Sequence, residues 1–278
     1  MTEVQTFDLP ICKLLVIDDD IAYFGGMNIV ATVPGQPPQA AVSMASSRGW
    51  HDMHVRLKGS QQAEIALSFE RSWQHAQGRK ISARPAAYRK AYFGNEPERI
   101  HFFDSGPGRR FSRSARIFTH LLNMARHEVV FSMAYFLPVG RAWHALMRAA
   151  RRGVKIRIVV PGESDVPLVQ RASTYLYQRL LSRGVAIFER QSVMLHSKVM
   201  LVDGQWTLLG SSNFDALSLW VNLEFLAVIR SVELAQHMAR IVDDELQHSR
   251  PVTASDVQAR SRWDRLLNRL AWSLRWWL

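Results

Sequence analysis

The stretch His196-Ser197-Lys198-Val199-Met200-Leu201-Val202-Asp203 is followed, six residues later, by Gly210-Ser211-Ser212-Asn213. Near the start of the chain, Lys13, Asp18, Gly25, Gly26 and Asn28 stand at the same relative offsets as Lys198, Asp203, Gly210, Ser211 and Asn213, and the place of His196 is taken by Ile11. A repeat of this kind predicts two related halves. Each copy reads as a strand, an acidic turn and a second strand: Lys13 to Ile17 turning at Asp18 to Asp20, and residues 197–211 turning at Asp203-Gly204.

The chemistry suggested by the second copy is that of a phosphate handler. On a strand, residues two apart project to the same side of the sheet, so His196 and Lys198 put an imidazole beside an ammonium. Lys198 and Asn213 can hold non-bridging oxygens as fixed donors, and the histidine can attack phosphorus or protonate a leaving oxygen. Glu224, on the next predicted strand, is expected to accept a hydrogen bond from the ring of His196 and fix its tautomer. Asp203 opens the hairpin turn and reads as structural before catalytic. No cluster with metal-ligand spacing is visible, and no cofactor is expected.

From residue 112 onward, helices and strands alternate. Helices are expected over about 112–127, 141–152 (ended by Gly153), 165–182 (capped by Asp165, ended by Gly184) and 232–247, with strands over 129–136, 154–160, 185–188 and 223–229. This pattern argues for an α/β layered fold. Ahead of it, residues 1–78 form a shorter first half with a helix over 63–75, residues 79–111 read as a basic connector, 112–249 as the complete second half, and 250–278 as a basic, tryptophan-rich tail.

The net charge of +11 is concentrated in two places. Residues 79–116 hold ten Lys/Arg against three Asp/Glu, and residues 250–278 hold six against two, which points to an anionic partner. Within the tail, Leu266, Leu270 and Leu274 fall on one face of a helix and Arg262, Arg265 and Arg269 on another, with four tryptophans, as an interfacial membrane helix requires. The single cysteine, Cys12, excludes an intrachain disulfide and suits a reducing compartment. With no signal-peptide pattern and no apolar run of transmembrane length, a soluble or peripheral protein is expected.

The stretch from His196 to Glu224 resembles the second HKD motif of the phospholipase D superfamily, close to bacterial cardiolipin synthases of the B type. The similarity includes residues 134–138 (AYFLP), 151–165 (RRGVKIRIVVPGESD) and 50–59 (WHDMHVRLKG). It implies a phospholipase D-like fold of two similar halves, each a mixed sheet flanked by helices, with the first half incomplete at its N-terminal side. It also implies a metal-free transfer of a phosphatidyl group through a phosphohistidine at the cytoplasmic face of a bacterial membrane. His196, Lys198, Ser212, Asn213 and Glu224 then make an intact half-site, and Lys13, Asn28 and Asp52 are what remains of the other, Asp52 matching the acid that would orient the missing histidine. Phospholipid substrates and an anionic membrane are the implied partners, and a homodimer could supply a second motif. The alternatives are a homodimeric nuclease-like phosphodiesterase and a lipid-binding remnant; the tryptophan-rich tail favours lipid over nucleic acid.

Overall fold

A computed structural model of the chain describes residues 13–18, 20–27, 49–59, 61–78, 100–106 and 112–278. Ile11 and Asn28 lie outside the described residues.

The second half is organised on an eight-stranded sheet. In chain order its strands are β5 (Ile100–Ser105), β6 (Glu128–Met133), β7 (Lys155–Pro161), β8 (Ala186–Arg190), β10 (Lys198–Val202), β11 (Trp206–Gly210), β12 (Glu224–Arg230) and β13 (Ser249–Val252). Their spatial order is β13-β8-β7-β6-β10-β11-β12-β5, with β6, β7 and β8 parallel and the other pairs antiparallel. The central strands are buried on both faces, and their alternation divides the core in two. Met200, Val202, Leu226, Val228 and Phe131 face one layer, which is covered by helices α2 (Ser114–Met124), α3 (Gly140–Arg151), α4 (Pro167–Leu181) and α5 (Ala216–Trp220). Val199, Leu201, Phe225, Ala227 and Ile229 face the other.

That second face receives helix α6 (Val232–Gln247) together with the first half of the chain. The described first half comprises β1 (Leu14–Ile17), β2 (Ile21–Gly25), β3 (Trp50–His51), β4 (His54–Lys58) and α1 (Gln62–Ala76). Strands β1, β2 and β4 make a separate antiparallel sheet, docked through Leu14, Ala22 and Phe24. Phe24 is 1% exposed and meets Phe102 and Phe225 edge-on at 5.7 and 5.5 Å.

The repeat seen in the sequence is a repeat of structure. Leu14 pairs with Phe24 as Val199 pairs with Leu209, one register of one hairpin. Asp18 and Asp203 both take the left-handed backbone conformation, at φ +50° and +52°. Gly25 and Gly210 each lie against a crossing strand: a Cβ would fall 2.4 Å from the Met53 carbonyl in one case and 2.1 Å from that of Phe225 in the other. The next amide donates to that same carbonyl at 3.0 Å in both, Gly26 to Met53 and Ser211 to Phe225. This equivalence makes Asp52 and Glu224 counterparts.

Three expectations change. Ile100–Ser105, read as part of the basic connector, is the edge strand β5, paired along its length with β12. Asp165 does not cap α4, which begins after Val166 with Pro167 in its first turn; its carboxylate accepts from the Tyr135 hydroxyl at 2.8 and 2.9 Å. Helix α2 starts at Ser114, because the Ser105 hydroxyl of β5 accepts the amides of Arg113 and Ser114 at 3.0 and 3.1 Å. In the tail, β13 extends the sheet and is followed by α7 (Ala254–Gln258), with a Thr253/Asp256 capping box, and α8 (Arg262–Ser273).

Phe24→Ala empties the contact between the two sheets and is expected to cost about 3–5 kcal/mol. Hydrogen exchange should then accelerate over residues 14–25 and 54–58 while β6, β10 and β11 keep their protection; unchanged exchange in the small sheet would contradict the docking role.

Candidate active site

Strand β3 lies parallel beside β9 (Met194–Leu195), with Trp50 opposite Met194 and His51 opposite Leu195. The pairing ends where the chemistry begins. The His196 amide donates to the His51 carbonyl at 2.8 Å, and one residue further along the first-half strand, the Asp52 carboxylate meets Nδ1 of His196 at 2.6 Å. Both side chains are almost wholly buried. With Asp52 taking the proton on Nδ1, the neutral ring carries its lone pair on Nε2. The Trp50 ring sits edge-on at 4.7 Å from the imidazole and walls one side of it.

The strand carrying Asp52 is fixed from behind by the buried Glu245 of α6, whose carboxylate lies 3.1 Å from Nε2 of His51. That partner raises the His51 pKa. Burial lowers the pKa of His196, with Asp52 opposing and Lys198 and Lys13 adding to the effect. The ring is therefore neutral, and available as a base or nucleophile, below the pH at which a free histidine would become so.

Lys198 opens β10 with its ammonium donating to the His196 carbonyl. Burial brings its pKa down to about 8, even with Asp52, Glu224 and Asp165 nearby. Lys13, at the matching position of the first half, is close enough to act on His196, Lys198 and Glu224. The charges of two lysines, one from each half, thus act on one histidine. Ser212 is buried and donates to the Asn213 carbonyl at 3.1 Å, while Oδ1 of Asn213 is buried without a hydrogen-bond partner. That oxygen is an unused acceptor, and the Nδ2 group of the same amide is the side that can donate to a phosphate oxygen.

Glu224 does not hold His196. Strand β11 lies between β12 and β10, which separates Glu224's strand from the histidine's by two inter-strand spacings, about 10 Å. Its carboxylate is buried, accepts from the Ser211 hydroxyl, and is held above the usual range by burial. Asp52, expected to serve the missing first-half histidine, serves the second-half one instead. The acids are crossed between the halves, and Glu224 is the counterpart that faces Lys13. No histidine exists at position 11 for it to orient.

Asp203 is away from this group, at the opposite end of β10. It accepts the amides of Arg126, His127 and Glu128 at 2.9, 2.8 and 2.9 Å. Partial burial pushes its pKa up, but these three donors outweigh it and hold the carboxyl low. It closes the hairpin and pins the loop before β6.

The sequence reading missed Asp215. It is fully buried, caps α5 by accepting the Ser218 amide at 2.7 Å, and is pushed up to about 7 by burial, with Glu224 adding. The signal was an aspartate ahead of a short apolar helix, which reads equally well as an ordinary cap. Trp50 and Tyr135 were also missed, since neither lies within the repeated motif. Among the described residues, no group of three or more His, Cys, Asp or Glu could hold a metal ion.

Asp203→Ala is expected to lower stability by about 1–2 kcal/mol without altering the titration of His196. A shifted His196 titration in this variant would place Asp203 in the site after all.

Comparison with known proteins bears on the fold and the family resemblance. Residues 118–246 match the family model described as "Cardiolipin synthase, PLD-like domain". The chain is 32% identical over 259 residues to cardiolipin synthase A of Erwinia tasmaniensis and 31% identical over 259 residues to that of Serratia proteamaculans, covering 93% of this chain and 52% of each relative. The chain therefore spans about half the length of these relatives. The solved structure of phosphatidylserine synthase from Haemophilus influenzae superposes with a TM-score of 0.66 at 12% identity, covering 92% of this chain and 66% of that one. The fold is phospholipase D-like, and residues 118–246 are similar to a phospholipase D-like domain.

Proposed function

We propose that the chain transfers a phosphatidyl group between phospholipids, in the manner of a cardiolipin synthase, with His196 as its nucleophile. The observation that carries this reading is the Asp52–His196 hydrogen bond at 2.6 Å, which leaves Nε2 as the ring nitrogen available for attack, with two lysines acting on the same ring. The similarity to cardiolipin synthases over 93% of the chain supports the choice of phospholipid.

The chemistry runs in two displacements. Nε2 attacks phosphorus, the bond from phosphorus to the donor's alcohol oxygen breaks, and Asp52 stabilises the ring as it gains positive charge. Lys198, Lys13 and the Asn213 amide hold the non-bridging oxygens. An acceptor hydroxyl then attacks the phosphohistidine, gives its proton to water, and the phosphorus–nitrogen bond breaks to regenerate the imidazole. The departing alkoxide of the first step needs a proton. Position 11, where a second histidine would supply it, is isoleucine, so water or a second copy of the chain supplies it. A positioned acid is worth about 10²–10⁴-fold, and turnover is slower than that of a two-histidine site by a factor of that order. The reading places the protein peripherally on the cytoplasmic face of a bacterial membrane; no described helix is long and apolar enough to cross one.

Incubation with phosphatidylglycerol vesicles, followed by mass spectrometry of the lipids, is expected to yield cardiolipin. His196→Ala should lose that product by about 10²-fold or more. The rate should fall as pH rises through about 8, where Lys198 gives up its charge, and on the acid side only below the ordinary histidine range. Equal product from His196→Ala would sink the assignment; no product from either would leave the lipid-binding remnant as the better reading.

A further inference from the structure

Away from His196, a second basic site lies between α4 and the C-terminal segment. A cavity of about 560 Å³ there is lined by Arg179, Arg260, Arg265 and Arg269, with Thr174 and Gln178 among the polar groups beside them. No carboxylate lines it. Among the described residues none of the four arginines forms an ion pair: Arg179 rests 6.0 Å over the Trp143 ring and Arg260 5.7 Å over that of Tyr177, contacts that orient a guanidinium without neutralising it. The nearby Asp264 is occupied by the Ser261 hydroxyl at 2.7 Å and by Arg171 at 3.4 Å. Asp264 also feels the charge of Arg260, but four guanidinium groups without an ion-pair partner around a concave surface favour an anion, and guanidinium forks with hydroxyl and amide donors suit a phosphate.

Helix α8 shows where that phosphate comes from. Asn268 and Ala271 turn inward. At 100° per residue, Arg265, Arg269 and Arg262 then form one flank, toward the cavity, and Leu266, Leu270, Trp263, Leu274 and Leu267 form an adjoining stripe. The whole stripe is exposed, Trp263 by 74%, and Trp277 just beyond the helix by 81%. An apolar stripe bordered by arginines matches the boundary between acyl chains and phosphates in a bilayer. Trp276 and Trp220 converge over Gly140, where a Cβ would stand 4.0 and 3.8 Å from them, and Trp220 ends α5 at the sheet end that carries Ser211 to Asp215.

We propose that this face lies on an anionic bilayer, with the phosphate of a phospholipid headgroup seated in the arginine cavity as a non-catalytic anchoring site. The proposal rests on the phospholipid reading only in the choice of anion.

The test is co-sedimentation of the full chain with phosphatidylcholine vesicles, with and without phosphatidylglycerol, under conditions where no turnover is measured. Binding is expected only with phosphatidylglycerol. The triple variant Arg179→Gln, Arg265→Gln, Arg269→Gln should weaken it roughly 100-fold, while Arg126→Gln, Lys155→Gln, Arg240→Gln, with the same loss of charge elsewhere on the surface, should weaken it far less. Leu270→Ser with Trp277→Ser should also release the chain from vesicles, and circular dichroism should show all variants folded. Equal losses from the two arginine and lysine triples would reduce the site to net charge and overturn it. So would tight binding of inorganic phosphate in the cavity without vesicle binding, or a lipid-free dimer that Leu270→Ser dissolves. A chain that makes no cardiolipin yet binds vesicles through these arginines would keep this inference and defeat the catalytic one.

Discussion

The contact between Asp52 and Nδ1 of His196 is the constraint on which the site depends, because it cannot form unless both halves of the chain are docked. Asp52 directly follows a two-residue strand that, among the described residues, pairs with β9 alone, immediately before the histidine. Backbone pairing fixes the translation of that strand, the His51–Glu245 contact fixes its side, and the Phe24 cluster fixes the small sheet that continues from it. A buried imidazole alone would have an arbitrary tautomer and a pKa set by burial. The carboxylate decides which nitrogen is left for chemistry and opposes the loss of basicity that burial imposes.

The same burial governs the rest of the site. Lys198 is nearly solvent-free and keeps a proton near neutrality because Asp52, Glu224 and Asp165 are within reach. Burial pushes both Asp215 and Glu224 up, with Glu224 adding to the effect on Asp215, so the group does not carry the full negative charge its composition suggests. What remains is an imidazole acted on by two lysines and surrounded by carboxylates whose charge burial has reduced. In the proposed reaction, a bound phosphodiester offsets part of the cost of desolvating the lysines.

Much of this was legible in the sequence, and the failures have physical causes. The repeat located the two hairpins and the equivalence of Lys13 and Lys198, since strand register and turn conformation are local properties. Helices α3 and α6 came out close to their expected limits for the same reason. The crossing of the acids was not legible. Glu224 is nearer to His196 in sequence, but strand order, which no local pattern encodes, puts β11 between them and brings Asp52 in from 144 residues away. Strand β5 was hidden because its Phe102 and Phe103 follow a stretch rich in arginine and proline, and only pairing with β12 reveals it. Asp215 was overlooked because a cap and a buried charged neighbour of a lysine look alike until the fold stacks them.

The most direct test of the crossed arrangement is the ¹⁵N NMR spectrum of the His196 imidazole in the parent chain, Asp52→Asn and Glu224→Gln. The account predicts a neutral ring protonated on Nδ1 in the parent, an unchanged pattern in Glu224→Gln, and a mixed or reversed tautomer in Asp52→Asn. A tautomer that survives Asp52→Asn and is lost in Glu224→Gln would contradict it.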